Sequence, residues 1–145
     1  MRIFLCGSES SDKTVRALER IICEAVPGCP LDVFLDLEDL QRKLETLGTR
    51  AQTVILVAAG KKEIAEFSSL QKLMDDIRIF LVLLEPEADT IAMGHKLRPR
   101  LLLTGDSDLF MIGMVLRKMA RTERAITGNG EKLGTTRNGR RRKIL

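Results

Sequence analysis

Apolar residues along this chain follow two spacings in turn. Short, mainly apolar runs occur at residues 2–6 (Arg-Ile-Phe-Leu-Cys), 31–35 (interrupted by Asp32), 53–59, 78–84 and 100–104. Runs of that length, bounded by turn residues, predict buried strands. The run Thr53-Val54-Ile55-Leu56-Val57-Ala58-Ala59 carries no charge, as expected of a central parallel strand covered on both faces. Between the runs, apolar residues recur every three or four positions, the spacing of a helix with one buried stripe. Val15, Leu18, Ile21, Ile22 and Ala25 predict a helix over 11–26, stopped by Pro27-Gly28-Cys29-Pro30. Leu37, Leu40, Leu44 and Leu47 predict a second, capped by Asp36 and ended by Gly48. Ile64, Phe67, Leu70 and Met74 predict a third over 61–75. A short helix is expected around 87–97, after Pro86. The last, about 107–124, carries Leu109, Ile112, Leu116 and Met119, with Asp106 or Ser107 as its cap.

Strand and helix therefore alternate regularly. Parallel strands need crossovers, and right-handed crossovers lay helices on both faces of one sheet. The expected fold is α/β: a flavodoxin-like, doubly wound, five-stranded parallel sheet of order 2-1-3-4-5. A folded domain is expected over 1–124. Residues 125–145 lack an apolar period and contain Gly128, Gly130, Gly134 and Gly139, so they are expected to form a basic, disordered tail.

Composition narrows the function. The length of 145 residues is that of one domain. Five Phe but no Trp or Tyr argue against a stacking platform for single-stranded nucleic acid. No apolar run approaches membrane-spanning length, and the first residues do not resemble a secretory signal; the expected compartment is the cytoplasm. The formal charge of +4 hides a split, because residues 117–145 hold ten Lys/Arg against two Glu. The other 116 residues hold fourteen Lys/Arg against eighteen Asp/Glu. Three cysteines without a C-x-x-C pair, and a single histidine, give no metal site. Cys6 and Cys23 are expected to be buried small hydrophobes on a strand and a helix.

In a doubly wound sheet, chemistry gathers beyond the carboxyl ends of the strands. There the sequence places Gly7-Ser8-Glu9-Ser10-Ser11 after the first strand, Ala58-Ala59-Gly60 after the third, Leu84-Glu85-Pro86 after the fourth and Thr104-Gly105-Asp106 after the fifth. The spacing of the five units over residues 1–122 resembles the response-regulator receiver, or CheY-like, family. The resemblance lies in architecture, and it implies a degenerate form, a pseudo-receiver. Where the family keeps two acids for Mg²⁺, this chain has Gly7 and Ser8. Where it keeps the phosphoacceptor Asp, Ala58 stands. Leu84, or Glu85 one step on, replaces the Ser/Thr that senses phosphorylation, and Thr104 replaces the Lys. A phosphoryl group needs a carboxylate nucleophile, which Ala lacks, and Mg²⁺ needs oxygen ligands that Glu9 alone does not supply. The resemblance thus implies no enzyme activity, no cofactor and no metal. It implies phosphorylation-independent binding of a signalling protein (a kinase or another regulator), or self-association. The family's usual output face corresponds here to His95, Lys96, Arg98, Arg100, Phe110, Met111 and Met114.

Two other features compete with that reading. Gly7-Ser8-Glu9-Ser10-Ser11-Asp12-Lys13-Thr14 departs by one residue from a phosphate-binding P-loop and lies between a strand and a helix. Asp12 stands where backbone should approach phosphate, and no acid ends the third strand to hold Mg²⁺. Ser10, Ser11, Lys13 and Thr14 remain candidate anion ligands at a helix N-terminus, alongside the plainer expectation of a Ser10 or Ser11 cap. The cluster Arg137-Asn138-Gly139-Arg140-Arg141-Arg142-Lys143 suits an acidic partner, or weak, non-specific nucleic-acid contact.

Overall fold

The five apolar runs form one parallel sheet, and the periodic stretches between them form its crossovers. A computed structural model describes residues 1–47 and 53–133. The strands are β1 (Ile3–Cys6), β2 (Leu31–Phe34), β3 (Thr53–Ala58), β4 (Arg78–Leu83) and β5 (Leu101–Thr104). The helices are α1 (Asp12–Ala25), α2 (Leu37–Leu47), α3 (Lys61–Ser68), α4 (Ala88–His95) and α5 (Phe110–Leu133). The strand order is β2-β1-β3-β4-β5, as the sequence predicts, and every pairing is parallel.

Burial follows this order. Every residue of β1 and β3 is buried, whereas β2, at an edge, is half open. Successive strand residues point to opposite faces, so the core divides in two. Phe4, Leu56, Leu81 and Leu83 pack with Leu40 and Leu44 of α2 and Ile64 and Phe67 of α3. Leu5, Ile55, Phe80 and Val82 pack with Leu18 and Ile22 of α1 and Ile112 and Leu116 of α5. An edge-to-face contact between Phe4 and Phe34, centroids 5.4 Å apart, ties the edge strand to its neighbour.

Several local expectations need correction. The helix predicted over 61–75 breaks after Ser68 into a separate 3₁₀ turn at Gln71–Met74; Ser68 and Ser69 hydroxyls bond back to Ile64 and Glu66 carbonyls, the competition that ends helices at serine. α5 begins at Phe110, so neither Asp106 nor Ser107 caps it; a turn fills 107–109, its carbonyls at Asp108 and Leu109 accepting from Met111 and Ile112. The helix also continues past 124 to Leu133, through Gly128 and Gly130, which are tolerated in helices at modest cost. Cys23 is exposed rather than buried, because it lies off the Leu18–Ile22 stripe. The Gly48 stop and the tail from 134 onward fall outside the described residues.

Candidate functional site

Parallel strands deliver their carboxyl ends to one edge, and the loop after β1 is built there tightly. Gly7 has no room for a side chain: an added Cβ would lie 2.4 Å from Val15 Cγ2 and 2.7 Å from Ser11 Oγ. Ser11 Oγ accepts from the Ser8 amide at 2.9 Å and donates to the Ser8 carbonyl at 3.2 Å. This closes a 3₁₀ turn at Glu9–Ser11 that leads into α1. Ser11 and Thr14 are consequently buried, and the Ser11 hydroxyl is spent on the loop itself. Ser10 and Lys13 are exposed. Of the four candidate anion ligands, two therefore face the protein.

At the neighbouring strand ends, Ala58 is buried and its carbonyl accepts from Leu84 N–H at 3.0 Å. Leu84 is half-buried, Thr104 and Glu85 are exposed, and Gly105 turns the chain at φ 79° with its amide on the Leu83 carbonyl. Gly7 is buried and Ser8 half-buried. The five positions matched to a receiver pocket lie at or just past the carboxyl ends of β1, β3, β4 and β5, and their side chains supply neither a carboxylate nor an amine.

One acid that the sequence reading did not single out reaches this edge from α3. The carboxylate of Glu63 accepts from the Ala59 amide and from Ser8 Oγ. Glu63 is the third residue of a helix whose N-cap is Gly60, the position from which a Glu commonly bonds back to the preceding backbone; that spacing was the available signal. Around it opens a cleft of about 770 Å³. Leu35, Leu37 and Phe67 line it together with six carboxylates, Glu9, Asp36, Glu38, Asp39, Glu63 and Glu66. Among the described residues no lysine or arginine lines it. Arg42 answers Glu38 and Asp39 from outside, at 3.8 and 3.6 Å. Cys6 lies beneath: burial first, then the charges of Asp36 and Glu63, push its thiol pKa up to about 12. Lys61, the first residue of α3, is turned away to Asp89 of α4. Their pairing raises the lysine pKa and lowers that of the aspartate. Among the described residues no group of three or more His, Cys, Asp or Glu is placed to hold a metal ion.

The seven residues of the expected interaction face separate along β5. His95, Lys96, Arg98 and Arg100 precede that strand, and Phe110, Met111 and Met114 follow it; all but Arg98 and Arg100 lie on or next to α4 and α5. All seven are exposed. The apolar three are 56%, 36% and 60% open, so their side chains face solvent.

The sheet order, the helices on both faces and the crowded carboxyl edge define the CheY-like fold of response-regulator receiver domains. Solved structures agree. A response regulator from Legionella pneumophila superposes with a TM-score of 0.65 at 12% identity, over 84% of this chain and 98% of the other. The phosphorylated cyanobacterial phytochrome response regulator gives 0.57 at 16%, over 81% and 89%. A protein described as pilus assembly-related, from Burkholderia pseudomallei, gives 0.63 at 15%, over 83% and 90%. No protein-family model and no curated protein matches the chain. No described helix is long and apolar enough to cross a membrane.

Proposed function

We propose that this domain is a non-catalytic pseudo-receiver that works by binding another signalling protein without being phosphorylated. The observation that carries the reading is the carboxyl edge of the sheet. Ala58 ends β3 where a phosphoacceptor would stand, and the Glu63 carboxylate already takes the Ala59 amide. A nucleophile needs free lone pairs and a cation or metal to offset the incoming charge. Glu63 accepts two hydrogen bonds within an acidic cleft, so it is a poor acceptor of a phosphoryl group. The apolar group Phe110, Met111 and Met114 at the start of α5 supplies the surface for a kinase, a regulator or a second copy, since exposed large apolar side chains grouped together mark interaction sites. The fold likeness to response regulators supports a role in signalling.

Incubation with acetyl phosphate and Mg²⁺, followed by intact mass, should leave the chain unmodified. A stable adduct on a carboxylate overturns the reading. Phe110→Ser with Met114→Ser should fold normally, both positions being open, and should lose cross-linking to the cognate signalling partner; unchanged cross-linking removes α5 as the docking face.

A further inference from the structure

The cleft bounded by the β1–α1 loop, α2 and α3 has an apolar floor and an acidic rim. Leu35 lies open on it at 43% exposure. No described ion pair engages Glu9, Asp36 or Glu66. Such a surface suits a segment that carries several cations next to an apolar group. This chain contains one: Arg140-Arg141-Arg142-Lys143 followed by Ile144-Leu145.

We propose that the cleft of one copy docks the basic segment Arg137–Leu145 of a second copy, in a head-to-tail contact. Topology decides against docking within one chain. α5 starts at the carboxyl edge of the sheet, and by Glu123 it has reached the opposite edge, where it pairs with Arg78, the first residue of β4, at 3.9 Å. Leu133 lies ten residues farther on, about 15 Å beyond at a helical rise of 1.5 Å. Returning to the cleft means recrossing a six-residue strand as well, about 20 Å. The way back is therefore about 35 Å before any detour. α5 packs on the α1 face of the sheet, whereas α2 and α3 cover the other, so a detour around an edge is also needed. Arg140 to Lys143 lie seven to ten residues past Leu133, so fully extended their backbone spans at most about 25 to 36 Å. Only the last of the four cations covers the straight path, with nothing left for the detour, so the cluster cannot seat as a whole in its own cleft, and a neighbour's cleft carries no such restriction. A contact of this kind joins two different patches, so it extends into chains of molecules instead of closing as a symmetric pair.

The test is sedimentation equilibrium of the full chain at about 50 and 500 mM salt, where the screening length shrinks from roughly 14 to 4 Å. Concentration-dependent association is expected at low salt, at least about tenfold weaker at high salt. Truncation after Leu133 should leave a monomer, and so should Glu38→Lys with Glu66→Lys, two exposed positions whose change spares the core. Mixed together, the truncated chain and the charge-reversed chain should form a one-to-one complex, because one keeps the cleft and the other the basic segment. A full chain that stays monomeric at low salt, a truncated chain that still associates, or a mixture that does not pair overturns the proposal. Association that survives charge reversal but needs the segment points to another surface and overturns it too. Phe110→Ser with Met114→Ser should leave this association unchanged, which separates it from the α5 docking face.

Discussion

Gly113 of α5 lies so close to Ile21 of α1 that a Cβ there would stand 2.9 Å from Ile21 Cγ2 and 3.4 Å from Ala25 Cβ. The two helices cover one face of the sheet, and this glycine sets how near they come. Gly113→Leu should therefore force them apart and lower the unfolding free energy by about 1–3 kcal/mol, the range for overfilled cores. Gly60→Ala is the comparison: nothing lies within 4 Å of the added carbon and its backbone is extended, so no overlap arises. Gly60 caps α3, where Gly is preferred to Ala, and the unfolding free energy in urea should fall by less than about 1 kcal/mol, the stiffer unfolded chain offsetting part of the loss.

Thr53 opens β3 fully buried, and its hydroxyl finds no partner among the described residues. A buried hydroxyl without a hydrogen bond is a net cost. Thr53→Val keeps the branched shape and removes the polar atom, and should raise stability by about 1 kcal/mol. A drop of similar size in the denaturant midpoint would show that the hydroxyl is satisfied in solution.

Cys6 and Cys23 should differ sharply toward a thiol reagent. The Cys6 thiol is buried with its pKa near 12, and the reactive species is the thiolate. Cys23 is exposed and should be labelled in native protein, Cys6 only after unfolding. The same shift sets a pH dependence. The folded thiol titrates above the unfolded one, so its contribution is complete below about pH 8.5. It is lost as pH rises toward 12, because the unfolded chain releases its proton first. Stability should fall by roughly 1 kcal/mol per pH unit in that window, and Cys6→Ala should flatten this slope.

Arg98 adopts φ 54°, the left-handed region, and its amide closes onto the His95 carbonyl at 3.0 Å just beyond α4. A side chain there costs roughly 1–2 kcal/mol, and glycine relieves it at the cost of a looser unfolded chain. Arg98→Gly should leave the melting point unchanged or raise it by a few degrees, whereas the same change in a helix interior lowers stability by about 1 kcal/mol.

The strands were legible because each is a short, mainly apolar run of the length a covered sheet demands; Thr53–Ala58 shows this most plainly, and the edge strand β2, with Asp32, least. α1 and α2 were legible because one apolar stripe runs their whole length. The break after Ser68 was not, since Leu70 and Met74 continue a helical spacing that a 3₁₀ turn also satisfies. Nor was the outward position of Cys23, since cysteine is usually buried and a single residue beside the Leu18–Ile22 stripe does not mark its own side of the helix. At the site, the sequence located the residues directly after each strand but passed over Glu63. That acid sits five positions past Ala58 on a helix and reaches back, and only its spacing from the Gly60 cap announces it. The acidic cleft joins residues from 7 to 67, and only the sheet order brings them together.

Ile55 and Leu56 are neighbours in sequence yet belong to opposite faces of the sheet. The domain is in effect two laminae that share a backbone and little else. A fault introduced beside Ile55 is felt by α1 and α5, and one beside Leu56 by α2 and α3. Each lamina can therefore loosen, or evolve, with its counterpart still holding the strands in register.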